Sequence, residues 1–362
     1  MPAYGVYVHI PFCASRCDYC AFATWTDRGH LVDDYVRACI DQIRRESPTT
    51  PRASSVFFGG GTPSLIPATD LVRILAEVRV LPRAEITVEC NPDTVTQDLA
   101  ETYAEAGVNR VSLGVQSMVP SVLKTLGRTH NPANVEQSVA AFRSAGIVDI
   151  NLDLIYGSVG ESMDDWCSTL EQALALEPLH LSAYGLTVEA GTPLANDTSR
   201  HPDDDDQADK YLLADSMLAA AGLQNYEVSN WSLTGHESAH NQLYWRQHEY
   251  SAIGCAAHGH RDGVRFWNVR TPDRFIELMK RNQSVEAGRE VLDAHDREIE
   301  GLQLALRMRG GVPVQALPSV VDAPELGGLI TVTNGRAALT ASGRLLANEV
   351  ALRLRGRKDR EI

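Results

Sequence analysis

The stretch PFCASRCDYCAF (residues 11–22) places Cys13, Cys17 and Cys20 within eight residues, directly after the strand-like run GVYVHI. Thiolate sulfur is a soft ligand that suits zinc, copper(I) or iron–sulfur centres. A structural zinc site usually takes four protein ligands in two pairs, and the other four cysteines of this chain stand alone. A [4Fe–4S] cluster held by three cysteines leaves one iron free for a small molecule. We therefore predict such a cluster, with a structural zinc module as the alternative.

Outward from this stretch, short strand-like runs alternate with helical patterns. Several of the runs are almost continuously apolar, as strands buried on both faces are. The predicted strands are residues 5–10, 54–60, 85–90, 110–115, 148–157 and 180–187. The predicted helices are residues 31–46, 69–79, 96–106, 120–127, 133–145 and 164–176. Strands that alternate with helices indicate parallel crossovers and an α/β fold, but the pattern leaves open whether the sheet closes.

The regular alternation of predicted strands and helices ends after Thr187. HPDDDDQ (201–207) predicts a solvated loop that precedes a helix. Its acidic residues would stabilise the positive N-terminal end of that helix. From residue 286 onward the chain has the pattern of a small winged-helix-like α+β module, with a helix over 295–308, a hairpin over 329–340 that turns on Asn334-Gly335, and a helix over 341–355. We predict three regions, residues 1–190, 191–285 and 286–362.

Composition narrows the class of protein. The 362-residue chain has a formal net charge of −14 at pH 7, and cationic contacts to phosphate drive nucleic-acid binding, so we predict no nucleic-acid partner. It has no run of about 18 apolar residues and no secretion signal at its N-terminus. Its seven cysteines form no repeating framework, which is typical of a reducing compartment. These features predict a soluble cytoplasmic protein.

A glycine run, GGGTP (59–63), follows the second predicted strand. Glycines allow the backbone to approach a ligand closely. The run matches neither the phosphate-binding Walker loop nor the dinucleotide-binding glycine pattern. Taken alone, it is equally well explained as a tight turn.

Polar residues stand at the ends of several predicted strands, where a barrel has its binding mouth. Glu89 ends the third strand, Gln116 follows the fourth, and Asp153 lies within the apolar fifth strand. A buried carboxylate costs free energy unless it is paired. Asp153 therefore indicates either a ligand-binding role or a salt bridge inside the barrel.

The stretch YVHIPFCASRCDYCAF resembles the radical S-adenosylmethionine (SAM) superfamily, in particular the branch of anaerobic coproporphyrinogen III oxidase. The resemblance implies a partial (β/α)₆ TIM-like barrel with the cluster at its mouth. It also implies that SAM binds the open iron, and that reductive cleavage of SAM yields a 5′-deoxyadenosyl radical. The positions that match SAM-binding residues of the family are Tyr7, Tyr19, Gly60, Gly61, Thr62, Glu89, Gln116, Arg128, Asp153 and, less directly, Thr187.

Two departures from the oxidase pattern point to the heme chaperones of the same branch, the HemW family. The oxidase carries a further cysteine two positions after the third, and this chain has Phe22 there. The stretch HNQLYW (240–245) resembles a heme-chaperone signature. The resemblance implies binding of heme and delivery to acceptor hemoproteins. Oxygen-independent coproporphyrinogen III oxidation in porphyrin biosynthesis is the alternative, and whether the chain is an enzyme stays open.

Histidine placement gives a separate reason to expect heme. Five of the eleven histidines fall between residues 236 and 260, and imidazole and thiolate are common axial ligands of heme iron. The candidate heme region comprises His240, Asn241, Tyr244, Trp245, Cys255 and His258. The alternative is that the aromatic residues are core and the histidines are ordinary loop residues.

The C-terminal segment RLRGRKDR (353–360) is basic in an acidic chain. Behind an amphipathic helix, such a segment can bind an anionic membrane surface, and an exposed tail without function is the alternative. Transient contact with the inner face of the cell membrane would suit delivery of heme to membrane hemoproteins. The sequence leaves the oligomeric state open, a homodimer included.

Overall fold

The computed structural model of the protein describes residues 3–128, 130–317 and 326–355. Six parallel strands form its centre: β1 (Tyr4–Ile10), β2 (Ala53–Gly60), β3 (Val80–Cys90), β4 (Arg110–Gln116), β5 (Asp149–Tyr156) and β6 (His180–Gly185). The helices between them are α1 (Val32–Glu46), α2 (Ala68–Ala76), α3 (Gln97–Glu105), α4 (Pro120–Thr125), α5 (Pro132–Ser144) and α6 (Met163–Ala175). The predicted α/β alternation is confirmed, and the third strand begins earlier than predicted, at Val80.

The second part of the chain extends the sheet at both edges. Its elements are α7 (Asp204–Ala220), β7 (Gln224–Glu227), β8 (Asn230–Ser232), α8 (Ala239–Trp245), β9 (Glu249–Ile253), β10 (His258–Arg261), β11 (Val264–Asn268), α9 (Pro272–Lys280) and β12 (Glu286–Val291). The twelve strands follow the order β12-β11-β10-β9-β1-β2-β3-β4-β5-β6-β8-β7. Because β12 and β7 end this order unpaired with each other, the described strands form an open, partial barrel.

Side-chain alternation along the strands separates the core from the barrel interior. On β5, Ile150, Leu152 and Leu154 are buried in the apolar core. Their neighbours Asn151 and Asp153 line the interior cavity, because successive side chains on a strand point to opposite faces. The core therefore lies between the strands and the outer helices, and the polar residues of the strands face inward.

The acidic run at residues 201–207 precedes a helix, as predicted. Asp204, Asp205 and Asp206 occupy the first turn of α7, and the Asp203 side chain accepts a hydrogen bond from the Asp206 N–H. Carboxylates at this position stabilise the positive end of a helix. The run is explained by helix capping.

The C-terminal module has a small core of its own. It contains α10 (Ala294–Leu306), β13 (Val312–Pro313), β14 (Ile330–Thr333), β15 (Arg336–Leu339), α11 (Ala341–Leu345) and α12 (Ala347–Arg355). The hairpin β14–β15 turns on Asn334 and Gly335, both with positive φ, as a two-residue hairpin turn requires. The single helix predicted over 341–355 is wrong, because Leu346 has φ −107° and ψ 25° and separates α11 from α12. The winged-helix likeness and the three region boundaries stay predictions.

Among the described residues, no helix is both long and apolar enough to span a membrane. The basic residues 356–360 of the predicted membrane contact lie outside the described residues.

Candidate cofactor site at the barrel mouth

The three cysteines lie on a loop at the carboxyl end of β1. The loop is closed at its base, where the Cys13 N–H donates to Trp25 O (3.1 Å) and the Trp25 N–H donates to Pro11 O (2.8 Å). From within the barrel, His9 Nε2 lies 2.9 Å from the carbonyl oxygen of Ala23. The cysteine loop (residues 13–25) is therefore held over the mouth by β1.

Two polar side chains approach the thiols. An Arg128 guanidinium nitrogen lies 3.4 Å from Cys17 Sγ, and Thr62 Oγ1 lies 3.7 Å from Cys13 Sγ. Burial raises the pKa of the Cys13 thiol, and the nearby Cys20 and Cys17 add to the rise. No three metal-binding side chains of the described residues converge on the position of a single ion. A structural zinc site usually takes four protein ligands, whereas three thiols on one loop suit an iron–sulfur cluster with one open iron.

The glycine run at the end of β2 lies between this loop and Glu89. A Cβ on Gly61 would lie 3.0 Å from Cys13 Sγ, and one on Gly59 would lie 3.0 Å from Glu89 Oε1. Gly60 has a φ of +114°, which favours glycine, and its N–H donates to Glu89 Oε2 at 3.1 Å. The space of the missing side chains is filled by His9, Cys13 and Glu89, so the glycines let the end of β2 pack closely against the cysteine loop and Glu89.

Glu89 and Asp153 both line a cavity of about 260 Å³ inside the barrel. Burial raises the pKa of Glu89 to about 8, and the negative charge of Asp153 contributes to this shift. Burial also raises the pKa of Asp153, and hydrogen bonds oppose that rise. The Ser112 hydroxyl donates to Asp153 Oδ2 at 2.5 Å, and Asn151 Nδ2 donates to Oδ1 at 2.9 Å. A ligand with cationic groups would stabilise both carboxylates in their charged forms.

The contacts of Asp153 test the two roles predicted for it, ligand binding and a salt bridge inside the barrel. Within the described residues no ion pair is formed by Asp153, so the salt bridge considered as the alternative is wrong. The nearby cation, Arg110, instead pairs with Asp149 at 2.6 Å. Asp153 therefore lies in the cavity without a cationic partner among the described residues, and its oxygens are held by Ser112 and Asn151.

Beneath the carboxylates lies a polar layer that the sequence interpretation missed. His180 Nδ1 lies 2.6 Å from Asn151 Oδ1, and His180 Nε2 lies 2.8 Å from the hydroxyl of Tyr226. Ser182 Oγ donates to the same Asn151 oxygen at 3.2 Å. The signal was present in the sequence as polar residues two positions apart in apolar strands, which place them on one face.

Gln116 and Arg128 meet at Gly114. Gln116 has a φ of 63°, which is uncommon for a residue other than glycine and is concentrated at functional sites. Arg128 donates to the Gly114 carbonyl oxygen at 2.9 Å, and a Cβ on Gly114 would lie 3.0 Å from the same guanidinium nitrogen. The Nε atom of Arg128 is buried without a partner among the described residues. An anionic ligand at the mouth would supply that partner.

The structure separates the remaining predicted SAM contacts. Tyr7 lines the cavity, and its hydroxyl lies 3.1 Å from His9 Nδ1. Tyr19 packs beside the apolar cluster of Val122 and Leu126 at the rim. Thr187 is exposed and does not line the cavity. The structure therefore brings Tyr7 into the cavity, whereas Tyr19 and Thr187 do not line it.

The opposite end of the barrel is closed by α8, which carries the HNQLYW stretch. The N–H groups of Ala239 and His240 donate to the Glu85 carboxylate at 2.8 and 2.9 Å. His240 is fully buried, with Nδ1 2.9 Å from Ser55 Oγ and Nε2 2.8 Å from the Tyr244 hydroxyl. Its burial lowers the pKa to about 3. The motif forms a barrel floor, and His240, Asn241 and Tyr244 line the cavity from below.

The other members of the candidate heme region lie in three different surroundings. Trp245 contacts Arg307 of the C-terminal module, whose guanidinium carbon is 5.8 Å from the ring centroid. Cys255 is fully buried, and burial raises its pKa to about 12. His258 is exposed at the start of β10. The structure therefore does not assemble the six predicted residues into one site.

Comparisons with known proteins agree with this geometry. Residues 7–173 match the model of the Radical SAM superfamily. The chain is 38% identical to the heme chaperone HemW of Mycobacterium tuberculosis, over 98% of this chain and 95% of the relative. It is 36% identical to the heme chaperone HemW of Escherichia coli, over 86% and 85%.

A solved structure gives the fold independently. Coproporphyrinogen III oxidase (HemN) from Escherichia coli superposes with a TM-score of 0.84 at 21% identity, over 98% of this chain and 90% of that chain. At this identity the likeness shows a shared fold, that of a radical SAM enzyme with a partial parallel barrel.

Proposed function

We propose that this protein, which belongs to the HemW family of the radical SAM superfamily, is a heme chaperone. In this proposal it binds a [4Fe–4S] cluster, SAM and heme. It then delivers the heme to acceptor hemoproteins. The relatives that carry the name heme chaperone HemW align over nearly the whole chain. The observation that carries the proposal is the cysteine loop, with three cysteines over the mouth and Phe22 at the position of a fourth.

The residues at the mouth fit the two cofactors. Cys13, Cys17 and Cys20 would hold three irons, and the buried, unpartnered Nε of Arg128 fits the SAM carboxylate. The resemblance to the family assigns the SAM amino group to the glycine run at Gly60 and Gly61, which packs directly against Cys13. When bound at the cluster, SAM can supply reductive cleavage of its sulfonium.

The protein's own side chains bind and orient the ligand in the cavity. Glu89 and Asp153 attract cationic groups into the cavity, and Ser112 and Asn151 fix the orientation of the Asp153 carboxylate. Tyr7 and the floor residues Asn241 and Tyr244 limit the depth of the cavity. The cavity therefore offers two carboxylates to a ligand and is bounded by hydroxyl, amide and ring groups toward the floor.

Phe22 distinguishes the chaperone from the oxidase. Its side chain is 68% exposed and lines the cavity at the mouth. An apolar ring at this position cannot coordinate a metal or hold a second polar ligand. We therefore expect no decarboxylation of coproporphyrinogen III by this protein.

Two anaerobic experiments on the reconstituted protein test the proposal. A titration with heme should give a saturable Soret spectrum with one heme bound per chain, and an assay with coproporphyrinogen III, SAM and reductant should form no protoporphyrinogen. Transfer to a heme-depleted hemoprotein should then restore the spectrum of that acceptor. Absence of saturable heme binding, or formation of protoporphyrinogen, would overturn the proposal.

We also propose that the protein delivers heme at a membrane surface. Leu352 on α12 is 61% exposed and precedes the basic tail, and an apolar side chain beside cationic residues favours an anionic interface. Vesicles with anionic lipid should sediment the full chain but not a chain that ends at Leu352. Equal sedimentation of the two would remove this part and leave the chaperone function in place.

A further inference from the structure

Of the five histidines between residues 236 and 260, only His258 is exposed; His236, His248 and His260 are half-buried and His240 is fully buried. His240 is fully buried and both of its ring nitrogens are hydrogen-bonded. Cys255 is fully buried beside Tyr35, whose hydroxyl lies 3.5 Å from its sulfur. His260 lies two residues beyond His258 on β10, and its Nδ1 is 3.0 Å from the His248 carbonyl oxygen. Ligation of heme needs an accessible imidazole nitrogen, and this favours His258.

His258 is exposed, and its ring nitrogens form no hydrogen bond within the part of the chain that the structure describes. Its imidazole is stacked on the indole of Trp267, with ring centroids 5.9 Å apart and an interplanar angle of 26°. The two residues are direct cross-strand partners on β10 and β11. The stack restricts the orientation of the imidazole and leaves its nitrogens available.

Strand register places His258 on the inner face of the open sheet. His260 pairs with Tyr250, so His258 lies at the level of Ala252 on β9. Ala252 pairs with Tyr7, and Tyr7 lines the cavity. Directly paired residues of neighbouring strands point to the same face. The inner wall of the barrel therefore continues beyond β1 to His258 and Trp267.

The indole of Trp267 lies against a glycine of the next strand. Gly288 on β12 pairs with Trp267, and a Cβ there would lie 2.5 Å from the indole. The absence of that side chain lets the indole lie flat across the strand. An aromatic surface of this kind suits the flat face of a porphyrin.

This surface lies beside the cysteine loop. A Cβ on Gly254, in the connection from β9 to β10, would lie 2.8 Å from the His9 carbonyl oxygen, and the His9 ring contacts Ala23 of the loop. Phe22, one residue earlier, projects an exposed ring at the same rim. Because the proposed function places SAM in the interior cavity, a heme bound together with SAM needs a surface outside that cavity.

We propose that His258 is the axial ligand of the heme iron, and that heme binds on the inner face of β10 and β11 against Trp267, next to the SAM cavity. This inference rests on the proposed function and adds the position of the cargo. Cofactor and cargo would then share one wall of the open barrel while occupying separate surfaces.

Heme titration of the anaerobically reconstituted protein tests the assignment. His258→Ala should weaken heme binding at least about tenfold and remove the imidazole-ligated Soret spectrum. His258→Cys should bind heme with a thiolate-type spectrum, because thiolate is also an axial ligand. His30→Ala is the matched control, since His30 is likewise exposed near the cysteine loop but stacks on no aromatic ring of the described residues. Iron and sulfide content verify that the cluster is unchanged.

The outcomes separate this inference from the function on which it rests. Heme binding by the unaltered protein, lost in His258→Ala and kept in His30→Ala, supports the assignment. An identical dissociation constant and spectrum in His258→Ala would overturn it while the chaperone function stands. If the unaltered protein shows no saturable heme binding, the proposed function itself fails.

Discussion

The mouth and the floor of the barrel are both rich in polar residues. The two ends differ in how these polar groups are paired in hydrogen bonds. At the floor, both ring nitrogens of His240 are bonded and Glu85 receives two backbone N–H groups of α8. The exception on that helix is Trp245, which faces the C-terminal module and whose Nε1 is buried without a partner among the described residues. At the mouth, the Arg128 Nε atom is buried without a partner among the described residues and Phe22 is 68% exposed. Saturated polar groups stabilise a fold, whereas unsatisfied groups at an opening indicate a ligand.

The hydrogen bonds at the floor give the HNQLYW stretch a structural role in place of the heme binding predicted from the sequence. A histidine in a suggestive motif can be read as a metal ligand, but His240 has no nitrogen left for a metal. Its pKa is lowered to about 3 by burial, so it stays neutral and serves as a hydrogen-bonding link between Ser55 and Tyr244. The motif therefore positions the cavity floor, and ligand chemistry is concentrated at the mouth.

The largest effect should come from removing a thiol at the mouth. We expect Cys13→Ser, Cys17→Ser or Cys20→Ser to abolish the cluster, because two remaining thiols cannot hold it, while circular dichroism shows an intact fold. Iron and sulfide analysis of anaerobic preparations measures this. Cys167→Ser, at a partly exposed cysteine on α6, is the control and should retain the full content. A full cluster in any of the three variants would show that the mouth is not the cluster site.

At the floor we expect a loss of stability in place of a loss of ligand. His240→Ala would leave Ser55 and Tyr244 without a partner and create a cavity, which should lower the free energy of unfolding by about 3 kcal/mol. Denaturant unfolding measures the change, and His248→Ala, at a partly exposed histidine, should change it little.

The same variant also tests the comparison of mouth and floor spectroscopically. The heme absorption spectrum of His240→Ala should equal that of the unaltered protein at temperatures where both are folded. A shifted spectrum would show that the floor contributes a heme ligand after all.

Glu89 should make stability depend on pH. Because burial raises its pKa in the folded state to about 8, the folded protein retains a proton that the unfolded chain releases above its ordinary pKa. Stability is therefore fully present below about pH 4–5 and falls as pH rises toward 8, by up to about 1.4 kcal/mol per pH unit.

Glu89→Gln should flatten this dependence, as measured by denaturant unfolding from pH 5 to 8 without SAM. Glu136→Gln, at an exposed carboxyl on α5, is the matched control and should keep the full slope. Equal slopes for Glu89→Gln and the unaltered protein would mean that the carboxyl is not held in a desolvated cavity.

The smallest effect is expected at Phe22. Because its ring is exposed, Phe22→Cys should change the free energy of unfolding by no more than about 0.5 kcal/mol. It should also form no protoporphyrinogen from coproporphyrinogen III, because a new thiol by itself does not create a binding pocket for a second SAM. Chromatographic detection of protoporphyrinogen would show that one residue at the mouth separates chaperone from oxidase.

The sequence by itself determined the α/β alternation, the cysteine loop and the residues that follow it. Local patterns carry these features: apolar runs predict buried strands, Asn334-Gly335 predicts a hairpin, and three closely spaced thiols predict a shared centre. The same reasoning singled out Glu89 at the end of the third strand and Asp153 within the fifth, because their polarity conflicts with their apolar neighbours.

Only the tertiary structure decided which histidine is buried and which is accessible. His240 and His258 look equivalent in the sequence, but α8 is tucked under the barrel and β10 extends its open edge. Burial and hydrogen-bond partners depend on residues such as Ser55, which lies 185 positions from His240. Contacts over such separations arise from packing, so a periodic pattern along the chain cannot encode them.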